Sequence, residues 1–474
     1  MGFTEETFLF IFLPLSIVVY QIAWYFKTLH IQNLIIITFS VAFYAWSSLN
    51  TLLLFLVLCV SFYIIGYVLF LVYRNKKKKR FPLLVACLAL LIPLCFYKYT
   101  IFIVDTINAL AHSNYSFMSI LVPIGISFVT FEGISYVVDV YRGHVKPGNF
   151  FDVFLFLSFF PKITAGPIVL FRDFAPQIHN RAHSISMTAH GFQRIIIGYA
   201  EKVILADTFG AQLAYIDSLT DGGTACDTLT LWLKGILIFF QIYFDFSGYS
   251  QIAIGLSEIF GFTLKENFNF PYMSTSISEF WRRWHISLGS FFREYVYIPL
   301  GGNRTGNVYI HLFIVFLLTG IWHGANWTFI IWGIIHGIFV MLERFARDKQ
   351  WYKSTPTCLK WFATMVILFF TWILFNAETI TAATTTYVAM FTWVHSSAVN
   401  FGWQFFLTRK IGTLLIIAGI GAVLPLFKIP DSISNVRNTS FGFIFKRIVL
   451  LLLFLLDIIF IVNSTYSPFI YFQF

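Results

Sequence analysis

Three polar side chains stand inside otherwise apolar sequence, and their types make them candidates for chemistry. His323 lies in FLLTGIWHGANWTFIIWG (316–333), among leucine, isoleucine, phenylalanine and tryptophan. His285 lies in SISEFWRRWHISLGSFFREYVYIPLGGNR (276–304), beside Trp281 and Trp284. Asp245 lies in QIYFDFSGYSQIAIG (241–255), with Ser247, Tyr249 and Gln251. An imidazole takes and returns a proton near neutrality, and a carboxylate needs a donor or a cation. At hydrophobic depth such groups are costly unless paired or hydrated, so each is a functional candidate. For each, a second reading stays open: His285 and His323 as satisfied packing residues, Asp245 as one half of a structural ion pair.

The elements around these residues follow from local pattern. Gly320, Gly324 and Asn326 punctuate the run around His323, so one helix is expected to end near Trp322 and another to start near Asn326. Non-helical backbone at membrane depth is tolerated where it is buried or lines a wet cavity. Beyond the break, Gly333 and Gly337 share a face suited to close helix packing. His336, thirteen residues after His323, would face roughly the opposite way on a continuous helix. Around His285, Ser276 and Glu279 form an S-x-x-E capping box that starts a helix. On its wheel Trp281, Trp284, His285, Leu288 and Phe292 share one face, while Arg283, Ser287, Ser290 and Glu294 lie opposite. Glu279 and Arg283 are placed to pair at i,i+4, and the helix is expected to lie at the interface and end before Pro299.

The whole chain explains the setting. Of 474 residues, 58% are hydrophobic and 11% charged, against roughly a quarter charged in a soluble domain. Windows long enough to span a bilayer recur near 7–26, 31–48, 51–73, 81–103, 116–138, 190–206, 229–244, 306–322, 326–344, 359–376, 411–427 and 447–463. Shorter apolar stretches lie at 151–160, 247–262 and 384–395. The expectation is an all-α polytopic membrane protein of roughly 10–12 spans. Its regions are N-terminal spans (1–120), a polar-rich core (121–345) and C-terminal spans (346–474). The net charge of +10 bears on orientation rather than on nucleic acid. The dense block RNKKKKR (74–80) follows the third span, which places that loop in the cytoplasm and the N-terminus outside. No n-region or A-x-A-like site marks a removable signal peptide. Five scattered cysteines without C-x-x-C indicate neither a disulfide framework nor a metal site.

Several long stretches, in order, resemble the membrane-bound O-acyltransferases. ENFNFPYMSTSISEFWRRWHISLGSFFREYVYIPLGGNR (266–304) and GIWHGANWTFIIWGIIHG (320–337) are similar to the branch containing the membrane subunit of alginate O-acetylation. LVPIGISFVTFEGISYVVDVYRG (121–143), FFPKITAGPIV (159–169) and FDFSGYS (244–250) match that branch too. One departure is Gln251, where relatives often carry aspartate.

The resemblance implies a ring of membrane helices with re-entrant and interfacial helices around a central tunnel. There a cytosolic acyl donor meets an acceptor from the other side. It makes His323 the catalytic histidine, with His285 as the second polar position. It implies no bound cofactor, a donor such as acetyl-CoA, and an extracytoplasmic polysaccharide acceptor. An extracytoplasmic acyltransferase or hydrolase-like partner is implied too, all at a bacterial cytoplasmic membrane.

In such a site His323 would deprotonate the acceptor hydroxyl, and His285 would donate to the oxyanion or thioester carbonyl, or steer the proton. Asn326 is a candidate second donor, and Asp245 a candidate site carboxylate. Trp281, Trp284, Trp322 and Trp327 are candidates to wall the tunnel and exclude water; packing or interfacial anchoring is the other reading. D-alanyl transfer to teichoic acid is the neighbouring alternative. A transporter or flippase is the alternative from another class, since midplane charges and broken helices look alike there.

Overall fold

The computed structural model describes residues 2–76, 78–118, 120–181, 183–220, 226–426 and 439–463, and every regular element among them is helical. The chain forms two compact bodies. The first comprises Met1–Ile195, Ile252–Glu266 and Ser290–Pro299; the second comprises Ile196–Gln251, Asn267–Gly289 and Leu300–Phe474.

In the first body, α1 (Phe8–Tyr25), α2 (Leu29–Ser47), α3 (Leu49–Tyr73) and α4 (Arg80–Ala111) are long apolar helices. The expected span at 116–138 is instead α5 (Ile126–Arg142), a shorter helix buried within the protein along nearly its whole length. It lies against α3 because each helix offers a glycine to the other's ring. A Cβ on Gly66 would sit 2.4 Å from the Tyr136 ring, and one on Gly133 2.4 Å from Phe62. Gly125, just before α5, has φ +70°, and a Cβ there would lie 2.1 Å from the Ile163 carbonyl, so both conformation and space require glycine. Glu132 of α5 is fully buried and pairs with Lys162; it also accepts the Val169 N–H at 3.1 Å. This satisfied pair ties the two matched stretches 121–143 and 159–169 together.

The second body holds most of α6 (Thr228–Ile259), then α7 (Ile277–Arg283), the start of α8 (Ile286–Phe292), α9 (Val308–His323), α10 (Trp327–Ala346) and α11 (Thr357–Asn376). The segments expected at 229–244 and 247–262 form one continuous helix, α6, with nothing to break it between them. Gly248 serves close packing instead: a Cβ there would lie 2.6 Å from the Gly198 carbonyl. Among the described residues, seven helices are long and apolar enough to cross a membrane: α1–α4, α6, α10 and α11. Two shorter apolar helices, α9 and Ile380–Phe391, accompany them. The expected span at 190–206 lies within a continuous helical run, Ile185–Tyr199, a π-helical stretch Ala200–Ala206 and Asp207–Thr220, whereas Arg409–Ala422, at the expected 411–427, is 14 residues long. The end of the second, residue 427, lies outside the described residues.

Candidate active site

The break at His323 falls where glycine and asparagine signalled it. α9 ends at His323, Asn326 caps α10 by accepting the Thr328 N–H at 3.1 Å, and α10 starts at Trp327. The two helices then fold back on each other. A Cβ on Gly320 would lie 2.4 Å from the Phe329 carbonyl; one on Gly333 would lie 2.5 Å from the Phe316 carbonyl and 3.0 Å from the Gly320 Cα. Gly337 faces Phe316 as well, so the expected groove at Gly333 and Gly337 is the face that receives α9.

This hairpin changes the relation between two histidines. On a continuous helix His323 and His336 would point apart. Here both rings pack against the Trp332 indole, with centroids 5.1 and 4.7 Å from it. His323 is buried, edge-on to Trp332 and to Phe375 at 5.2 Å, with Trp322 at 5.0 Å. His336 is fully buried and accepts at Nδ1 from the Trp281 indole N–H at 3.2 Å.

His285 arrives from the other expected helix, which is not continuous. Ser276 caps it as expected, accepting the Glu279 N–H at 3.0 Å, and Glu279 pairs with Arg283 at 2.9 Å. The box closes differently, however: the Glu279 carboxylate takes the backbone N–H and hydroxyl of Thr275, each at 2.9 Å. The free N–H groups of Ile277 and Ser278 go to Glu343, reaching across from α10. The helix stops after Arg283, and His285 takes φ +44°, a left-handed conformation uncommon for a residue with a Cβ. α8 then starts at Ile286. Ser287, expected on the polar face, is buried for this reason and bonds Asn267.

The strain at His285 is held by Asn267. Its Oδ1 accepts the Ser287 N–H at 3.1 Å and the Ser287 hydroxyl at 2.8 Å, and lies 3.2 Å from Nδ1 of His285. The backbone donor identifies that atom as oxygen. Nδ1 beside it therefore carries the proton, which leaves Nε2 as the acceptor nitrogen. Nε2 is buried and has no hydrogen-bond partner among the described residues. The ring sits edge-on to Phe246 at 4.6 Å and 5.8 Å from Trp322.

His285, Trp322 and His323 thus form one contiguous group, extended through Trp332 to His336. Trp284 is buried behind them, between Phe268, Phe280 and Trp372 at 5.0, 5.3 and 4.9 Å. Two other sequence candidates have partners of their own. Both polar ends of Asn326 are used at the helix start, Oδ1 as cap and Nδ2 to the Glu378 carbonyl at 2.7 Å. Asp245 is buried against Lys202 at 2.6 Å, and the same ammonium pairs with Asp207. Trp327 is 47% exposed, whereas Trp322 is buried. Among the described residues no three His, Cys, Asp or Glu side chains gather as a metal site.

Buried imidazoles at a helix break among tryptophans can move protons in a water-poor place. The family model described as membrane-bound O-acyltransferase matches residues 3–388, a stretch that includes all of these groups. The chain belongs to the membrane-bound O-acyltransferase family. This O-acyltransferase is 38% identical to the "Probable alginate O-acetylase AlgI" of Pseudomonas putida over the whole of both chains. It is 34% identical to a peptidoglycan O-acetyltransferase of Helicobacter pylori, over 80% of this chain and 78% of that one. It is 30% identical to a teichoic acid D-alanyltransferase of Streptococcus thermophilus, over 62% of this chain and 72% of that one.

Three residues that shape the candidate site were not singled out by their types and spacing, although Asn267 and His336 lie within the stretches that carry the resemblance. Asn267 stands eighteen residues before His285 in an ordinary-looking loop. Glu343 looks like an exposed charge at the end of an apolar helix. His336 was set aside by helical geometry that the hairpin overrides.

Proposed function

We propose that this O-acyltransferase moves an acetyl group from a cytosolic thioester, of the acetyl-CoA kind, across the membrane for O-acetylation of an extracytoplasmic polysaccharide through a partner protein. The observation that carries the reading is His323 at the α9–α10 break, buried beside Trp322 and Trp332. What supports the acceptor is the full-length similarity to an alginate O-acetylase and the partial similarity to a peptidoglycan O-acetyltransferase. In the proposed reaction, the acceptor oxygen attacks the thioester carbonyl carbon while His323 takes the hydroxyl proton. The carbon–sulfur bond then breaks, and the leaving sulfur takes the proton from His323. His285 faces the reacting groups with an acceptor nitrogen, which suits steering the hydroxyl proton better than donating to an oxyanion. The tryptophans keep out water, which would otherwise hydrolyse the thioester.

The donor enters from the side of the basic block 74–80, taken as cytoplasmic, in a bacterial inner membrane with the N-terminus outside. An extracytoplasmic acyltransferase or hydrolase-like partner completes the transfer to glycan. D-alanyl transfer is the second reading, on the shorter and weaker similarity to the teichoic acid enzyme.

The test is acetyl-CoA turnover by the purified protein in nanodiscs, read as free thiol and as label on glycan or partner, beside a folded His323→Ala variant. Loss of turnover by about 10²–10⁴-fold is expected. Turnover unchanged in that variant removes His323 from the chemistry.

A further inference from the structure

We infer that His336 is the hydrogen-bond donor to the acyl oxygen during transfer, a catalytic role set up by Trp281. This rests on the proposal that the thioester is attacked beside His323.

An indole N–H only donates, so Nδ1 of His336, 3.2 Å from Trp281 Nε1, is the acceptor of that pair. The proton of the neutral imidazole is then on Nε2. That nitrogen is fully buried and has no hydrogen-bond partner among the described residues. A buried N–H with no acceptor is destabilising, and one held at a functional site calls for a role. The acceptor it lacks is an oxygen, and the reaction brings one into this region. His336 and His323 pack against the same indole, so the donor stands one ring away from the proposed base. The two other imidazoles do not compete for this part: His323 must accept a proton, and His285 presents an acceptor nitrogen held by Asn267.

As the hydroxyl oxygen bonds to the carbonyl carbon, the carbonyl π pair moves onto its oxygen. Nε2–H of His336 hydrogen-bonds that oxygen and keeps its own proton. When the pair returns and the carbon–sulfur bond breaks, the hydrogen bond weakens again. A fixed donor aimed at developing charge acts without reorganising at the moment of reaction. Trp281 is the positioning residue, since its N–H fixes which nitrogen of His336 is protonated.

The experiment compares the full-length wild type with His336→Phe, His336→Gln and Trp281→Phe in nanodiscs, using acetyl-CoA and the same thiol and label readouts. His336→Phe removes the donor; it is expected to lower kcat by about 10²–10³-fold, with KM changed by no more than about twofold. His336→Gln restores an N–H and is expected to recover a large part of that loss. Trp281→Phe keeps an aromatic ring but removes the N–H that fixes the His336 tautomer, and it is expected to lower kcat by less than His336→Phe does. If His336→Phe does not fold, the Gln and Trp281 variants carry the decision. A wild type that releases thiol beside a His336→Phe of equal kcat overturns the donor role alone. A loss in His336→Phe that Gln does not rescue also overturns it, marking a packing residue. A wild type with no acyl transfer overturns the functional proposal and this inference together.

Discussion

Asn267 Oδ1 lies 3.2 Å from Nδ1 of His285, and that contact sets both the tautomer and the posture of a histidine whose backbone is left-handed at φ +44°. A non-glycine residue in that region stores about 1–3 kcal/mol and persists only where its surroundings over-determine it. The same oxygen also gathers the Ser287 N–H and hydroxyl, so one amide organises the turn between α7 and α8.

Replacing Asn267 by alanine should therefore act on two readouts together. Stability should fall by about 1–3 kcal/mol, because the buried Ser287 N–H loses its acceptor. Turnover should fall as well, since His285 is free to change tautomer. Thermal unfolding in detergent and thiol release measure the two effects. Normal activity at normal stability would mean that the turn is held by something else.

Lys202 serves two buried carboxylates, Asp207 and Asp245. Lys202→Met leaves both without their cation and should destabilise by about 3–5 kcal/mol. Asp245→Asn leaves the ammonium paired with Asp207 and should cost clearly less. Combining Lys202→Met with Asp245→Asn should recover part of the loss. Thermal midpoints for the three variants check the order, and an Asp245→Asn variant that folds normally but loses turnover would give Asp245 a part in the chemistry.

Gly333→Val places a Cβ 2.5 Å from the Phe316 carbonyl and 3.0 Å from the Gly320 Cα, backbone atoms of α9 that cannot swing aside as a side chain can. The α9–α10 hairpin must open, at a cost of about 1–3 kcal/mol or more. Because that hairpin seats His323 and His336 on Trp332, activity should fall with it. Gly419, which has nothing within 4 Å of its Cβ position, is the control; Gly419→Val should leave both readouts near wild type.

Glu343 holds the start of α7 by accepting the N–H groups of Ile277 and Ser278. Glu343→Gln keeps one acceptor oxygen but turns an amide toward the other N–H and removes the charge at the helix start. A loss of about 1–2 kcal/mol is expected. The effect on turnover should be smaller than that of Asn267→Ala, because the His285 turn itself is intact. Equal or greater loss of turnover in Glu343→Gln would reverse that order.

The local features of the site were legible along the chain. Gly320, Gly324 and Asn326 marked the helix break that carries His323, and Ser276 marked the start of the helix before His285. A break or a cap is a decision made by a few neighbouring residues, so a few neighbouring residues reveal it. The long apolar windows announced a membrane protein for the same reason. Less legible was how those windows would be used. Ile126–Arg142 falls in an apolar window yet carries Glu132, Asp139 and Arg142, and it is buried against α3 through two glycine–ring contacts that no hydropathy pattern contains.

By itself, then, the sequence determined the medium, the helical class, the breaks and the histidines that stand in them. Only the tertiary structure decided which groups meet. It folded α9 and α10 together at Gly320 and Gly333, bringing His323 and His336 to one indole although a straight helix would part them. It broke the helix before His285 and gave that histidine to Asn267. It also paired Asp245 with Lys202 and made Asn326 a helix cap. The reason is physical: caps and breaks are set by local backbone energetics, whereas the partner of a buried polar group is set by long-range packing that brings distant segments into contact.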